Sequence, residues 1–174
     1  MRDKFARLTF VLMIAAAGIL IQATPAAANN DPHRSFAAAT PFDLPATFCG
    51  FAVHFAFPVD KEYSTITVTA DGSTVIKTTG SLFVSLTNNA TGNSITVNAS
   101  GPGTVTIAPG GINATVKAEG LGVLFASNGT SVGLPSNLVL TSGPLHFTEN
   151  LALNTITSMS GMPHVLLDLC AALS

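Results

Sequence analysis

Three observations predict an all-β chain: an antiparallel meander closing into a β-barrel, with a two-sheet β-sandwich as the alternative. Short segments in which Val, Ile, Leu or Phe alternates with Ser, Thr or Ala recur from Phe48 to Leu173, the period-2 signature of strands with one buried face. Tight turns rich in Gly, Pro and Asn separate them. The only two cysteines, Cys49 and Cys170, stand at opposite ends of this region. A bond between them would set the first and last strands side by side, and a meander with joined ends has no exposed edges.

The chain opens on a basic start, Arg2, Lys4 and Arg7, followed by an uncharged apolar run from Leu8 to Ile21 and three small residues, Ala26, Ala27 and Ala28. That order is a cleavable secretion signal over residues 1–28, with Asn29 as the expected mature start. The apolar run falls short of the ~20 residues that a spanning helix needs. Stable membrane insertion after cleavage is therefore not expected, and no cysteine stands at the cleavage site to carry a lipid. Residues 29–47, with Pro32, Pro41 and Pro45, are expected to form an irregular leader, and residues 48–174 one β domain.

The strands follow in order. Residues 49–57 place Phe51, Val53, Phe55 and Phe57 on one face and Ala52, His54 and Ala56 on the other. Residues 63–70 and 74–79 flank Asp71-Gly72, a dipeptide suited to a type I′ hairpin turn. A second hairpin joins 82–88 to 94–100, with Gly92 available for a left-handed position. Gly101-Pro102-Gly103 and Pro109-Gly110-Gly111 then turn the chain into 104–108 and 112–119. Segments 123–127, 137–141, 145–149, 155–160 and 165–170 complete the set. Alternation puts Ile66, Val68, Leu82, Val84, Leu86, Ile95 and Val97 inside with the Phe-rich face.

An isolated cysteine pair in an exported chain is most simply one disulfide, Cys49 with Cys170. In the chain-entropy account so long a closed loop contributes about 5 kcal/mol. Cys and His at short spacing, the pattern of a metal site, are missing.

After residue 28 the chain carries four Lys or Arg against eight Asp or Glu. Arg34, Lys61, Lys77 and Lys117 are scattered, which excludes a phosphate-binding patch and with it a nucleic-acid partner. From Thr78 to Val116 there is no charged residue at all, so the polar side of these strands is hydroxyl and amide. The chain has no Trp and one Tyr, Tyr63, too little for the stacking platform of most sugar-binding modules. Asn89, Asn98, Asn113 and Asn128 each begin an Asn-x-Ser/Thr triplet. They are expected to be unmodified, since a chain rich in Asn and Thr makes such triplets by chance.

The start Phe48-Cys49-Gly50-Phe51, the Asp71-Gly72 hairpin, the stretch from Leu86 to Asn98 and the ending Asp168-Leu169-Cys170-Ala171-Ala172-Leu173 resemble a group of uncharacterised small secreted β-proteins of actinobacteria. The resemblance covers nearly all of the expected mature chain and implies bacterial export and a structural cysteine pair. It implies no active site. A looser likeness to the allene oxide cyclase barrel rests on strand count and turns, an analogy of layout.

Motifs that carry chemistry are absent: no Gly-x-Ser-x-Gly elbow, no His-Glu-x-x-His, no phosphate-cradling loop. His33, His54, His146 and His164 lie far apart in sequence, and each has a bland structural reading. His164 and Asp168, four apart on one strand, are about 13 Å from each other and do not pair. Glu119, Glu149 and Asp168 are taken as turn or surface carboxylates rather than an acid/base pair. No catalytic, metal or cofactor site is expected. A possible apolar pocket would draw on Phe51, Phe55, Phe83, Phe125 and Phe147, with a shallow mouth near the 126–136 loop. The function expected first is a secreted, non-enzymatic module that binds a ligand or a cell-surface partner. A carrier of a small apolar ligand in a barrel lumen is the alternative, and a barrel enzyme of the isomerase or cyclase type comes last.

Overall fold

A computed structural model describes residues 34–160 and 163–174; the expected signal segment lies outside them. The described strands are β1 (Ser35–Phe36), β2 (Phe42–Leu44), β3 (Val53–Val68), β4 (Thr74–Asn88), β5 (Ser94–Asn98), β6 (Gly103–Ile107), β7 (Asn113–Ala118), β8 (Leu121–Phe125), β9 (Leu138–Ser142), β10 (Leu145–Asn150), β11 (Thr155–Ser160) and β12 (His164–Asp168). A 3-10 turn covers Gly129–Val132, and one short helix, α1 (Leu169–Leu173), ends the chain. All strand pairs are antiparallel. Nine strands form one sheet in the order β1-β3-β4-β6-β7-β10-β11, with β2 beside β3 and β5 beside β4; β12-β9-β8 form a second.

β3 and β4 are long, 16 and 15 residues, because two expected strands merge in each. Phe57 and Pro58 do not end β3. They fall in a register shift between Ala56 and Val59, where a residue without an N–H is accommodated. The bulge also reverses the alternation: Val53 and Phe55 are buried before it, and Glu62 and Ser64 after it. Ser64 and Thr78 hydroxyls bond each other there at 2.7 Å. Val68, expected inside, is 69% exposed, since it stands beside the hairpin tip beyond the reach of the cores. The tip itself is not a type I′ turn. Gly72 alone is left-handed, at φ 84°, and Thr69 N–H bonds the Ser73 carbonyl, the geometry of a three-residue loop with Gly in its last position. Asp71 accepts from Thr69 and Ser73, which holds its carboxyl below the usual range.

The described residues form two hydrophobic cores, and the small sheet divides them. Val123, Phe125 and Leu138 face Val53, Phe55, Leu82, Val84 and Leu86. Leu124, Ala126 and Val139 face Val105, Val116, Leu145 and Phe147. The nine-stranded sheet thus supplies the cover for both faces of β8 and β9, which explains the unbroken apolar run Val123-Leu124-Phe125-Ala126: a strand buried on two sides does not alternate.

Cys49 and Cys170 are bonded, with Cα atoms 5.1 Å apart. The bond does not join paired first and last strands, as expected. Cys49 lies in the turn before β3 and Cys170 in α1, and β3 and β12 belong to different sheets. Among the described residues no ladder closes a sheet into a ring. The helix that replaces the end of the last expected strand is capped by Asp168, whose carboxylate accepts from Ala171 N–H at 3.1 Å. It buries Leu169 and Leu173 in the first core, and Asn88 Nδ2 fixes its end through the Leu173 carbonyl at 3.0 Å.

Candidate functional site: an aromatic cleft

The short β2, inside the expected leader, aligns Phe42 opposite Phe55 of β3. Their rings stack with centroids 4.5 Å apart, and Phe57 lies parallel to Phe42 at 6.4 Å. Pro45 then starts a turn closed by Phe48 N–H to the Pro45 carbonyl and Gly50 N–H to the Ala46 carbonyl. That turn returns Phe48 edge-on to Phe125, the last residue of β8, at 5.9 Å. Phe125 also meets Phe55 at 6.0 Å and Phe42 at 6.3 Å. Such tilted and offset pairs each contribute about 0.5–1.5 kcal/mol beyond burial.

Beside this cluster lies an open cleft of about 350 Å³. Phe42, Leu44, Pro45 and Phe48 line one side, and Phe125, Ser127, Leu153 and Asn154 the other. The far wall is the β10–β11 turn. Asn150 Oδ1 accepts from Ala152 and Leu153 N–H at 3.0 and 3.1 Å, and Leu151 N–H bonds the Ile112 carbonyl at 2.8 Å. Asn154 has φ 50°, the one left-handed non-glycine among the described residues; Asn tolerates this better than most. Its carbonyl accepts from both Ser127 N–H and Ser127 Oγ–H, at 3.0 and 2.8 Å. Leu153 remains 66% exposed.

Asp43 stands at the rim, yet its carboxylate is engaged by His54 Nδ1 at 2.9 Å and by Asn89 Nδ2 at 3.2 Å, bonds that hold it below the usual carboxylate range. These groups belong to an outer-face row across four strands, Asp43, His54, Thr87 and Ser94. Thr87 donates to Ser94 at 3.1 Å. The row has the residue types of a nucleophile-base-acid set, but the His54 and Asp43 side chains are largely exposed, and nothing there excludes water. Apart from that rim carboxylate, the cleft is lined by apolar, hydroxyl and amide side chains, suited to a small neutral group of aromatic or aliphatic character.

Of the five phenylalanines expected to share a pocket, Phe55 and Phe125 meet in the first core and Phe51 packs against it. Phe147 lies in the second core. Phe83 alternates onto the outer face of β4 between buried Leu82 and Val84. Phe42 and Phe48 complete the cleft instead; the prolines around them masked a three-residue strand. The 126–136 loop contributes one residue, Ser127, to the rim. Asn128, an expected unmodified triplet, holds Ile156 through both the backbone N–H and carbonyl, at 2.9 and 2.8 Å.

His146 lies opposite Lys117 on the outer face, His164 is exposed, and His33 lies outside the described residues. Glu119 is exposed in the β7–β8 turn. Glu149 departs from expectation: it is buried, 3% exposed, because it continues the inward row Leu145, Phe147 on β10. Desolvation raises its carboxyl to about 7. No cluster of three metal-ligating side chains occurs among the described residues, and no described helix is long and apolar enough to cross a membrane. A second hollow, between β7, β8 and β10, holds about 30 Å³, the room of one water. No family model, curated protein or solved structure matches the chain.

Proposed function

We propose that this chain is an exported, non-enzymatic binding module that takes a small neutral apolar group, free or borne by a larger partner, into the aromatic cleft. The observation that carries the reading is the open cleft that Phe42, Phe48 and Phe125 border, with the fully buried Phe55 packed behind them. The basic-apolar-small order of residues 1–28 and the disulfide support export, and the resemblance to secreted actinobacterial proteins points to a bacterial source.

Titration with N-phenyl-1-naphthylamine, a neutral apolar fluorophore, tests it. Saturable binding that is weakened in Phe42→Ala and Phe48→Ala, with folding retained, is the expected result. Absence of saturable binding in the intact protein, or binding indifferent to both substitutions, overturns the reading.

A second reading, a surface-interaction protein, draws on the outer face of the large sheet. Cross-strand register aligns Val75, Thr106, Thr115, Thr148 and Ser158 there in one uncharged row over five strands. The twist of roughly 20° per strand bends that row, which favours a flexible partner over a planar one. The lumen carrier has less support, since among the described residues no ladder closes a sheet into a ring that could enclose a lumen. The isomerase or cyclase alternative has least, since the His54-Asp43 pair is exposed.

A further inference from the structure

We infer that the aromatic cleft is governed by the protonation of Glu149, which acts through the β10–β11 turn that forms the cleft's far wall; the inference rests on the cleft being the binding site and names its regulation. Glu149 points inward with Leu145 and Phe147. Its ladder neighbours are Ala114 on β7 and Ile156 on β11, both buried and apolar. Among the described residues no hydrogen bond or ion pair reaches its carboxyl.

Among the described residues no charged group compensates it. On β10 His146 and on β7 Lys117 face each other across the outer surface, on the opposite side of the sheet from Glu149. β11, β6, β9 and the 128–134 segment contain no titratable residue. A carboxyl so placed is stable when neutral, and its ionised form requires water or movement toward water.

The exit lies at the end of β10. Glu149 is paired at a register shift, where Thr157 is the extra residue on β11, and such irregularities are weak points of a ladder. The next residue, Asn150, holds the turn through Ala152 and Leu153 N–H. Leu153 and Asn154 border the cleft, and Asn154 is tied to Ser127 at its rim. Outward displacement of Glu149 therefore moves the wall. The neutral form keeps the cleft formed, and ionisation near neutral pH loosens it.

The disulfide-bonded protein is titrated with N-phenyl-1-naphthylamine from pH 5.5 to 8.5, beside Glu149→Gln, which copies the neutral form, and Glu149→Met as a second uncharged variant. The native affinity is expected to fall by about tenfold across this range, and that of both variants to stay level. A native affinity independent of pH, or the same fall in the variants, overturns the switch. If the probe binds at no pH, the cleft reading fails, and the switch is decided by amide hydrogen exchange over residues 150–156. Protection lost above neutral pH in the native chain and kept in Glu149→Gln sustains it; equal protection in both refutes it.

Discussion

Leu124 and Phe125 are adjacent in the chain and lie in different hydrophobic cores: Leu124 packs with Val116 and Phe147, Phe125 with Phe55 and Leu138. β8 and β9 of the three-stranded sheet therefore form an internal partition that the larger sheet covers on both sides. Its strands carry the stability of both halves.

Truncation on either side is expected to be costly. Phe125→Ala should destabilise by about 3–5 kcal/mol and Leu124→Ala by about 2–5 kcal/mol in urea unfolding. Only the first should also weaken fluorophore binding, since only Phe125 borders the cleft. Equal losses of affinity in the two variants would place the binding surface elsewhere.

The disulfide ties the turn before β3 to the terminal helix across 121 positions. Replacing both cysteines with serine is expected to lower stability by about 2–5 kcal/mol. Thiol titration of the unreduced protein should detect no free sulfhydryl. The helix is further held by Asn88, so the double variant should lose thermal midpoint before it loses its strand signature in circular dichroism.

How much of this was legible in the sequence differs from element to element. Period-2 alternation located most strands of the large sheet, where Val53, Phe55, Leu82, Val84 and Leu86 are buried as alternation required, while the non-alternating β8 was marked by its apolar run between turns. The merging of strands into β3 and β4 was hidden, because Pro58 and Gly80 are breakers in isolation and bulge or close-contact residues in the ladder. β2 was hidden by its prolines and its length of three residues. Which strands pair across the molecule depends on non-local packing that alternation does not encode, so the expected adjacency of the ends failed while the cysteine pairing held. Glu149 had a signal, its phase with Leu145 and Phe147, outweighed by the rule that carboxylates are exposed. Phe42 and Phe48 carried no comparable signal.

Gly80 offers a test of the long hairpin. It sits at φ 148° opposite Glu62, and a β-carbon there would overlap the Lys61 carbonyl and the Glu62 Cα. Backbone cannot retreat as a flexible side chain does. Gly80→Ala is expected to cost about 2 kcal/mol or more, whereas Gly92→Ala, left-handed but with open space around it, should cost about 1 kcal/mol. Comparable urea midpoints for the two variants would contradict the close approach.

Global stability should fall as pH rises, in a direction fixed by Glu149. Its carboxyl is raised from an ordinary 4.5 to about 7 by burial, so between these values the unfolded chain releases a proton that the folded chain keeps. The stabilisation is complete below pH 4.5, declines through neutral pH as the folded carboxyl ionises, and is gone above it. The span corresponds to about 3 kcal/mol. Asp43 and Asp71, both held low, act oppositely and at lower pH: their contribution is present above the ordinary carboxylate range and lost as pH falls below it. Urea unfolding of the native protein at pH 5 and pH 8.5 should therefore show the higher midpoint at pH 5. Glu149→Gln should remove most of that difference and leave the acid-side loss intact. A native midpoint that rises toward pH 8.5, or a difference that survives in Glu149→Gln, would show that the Glu149 carboxylate is accommodated in the folded chain.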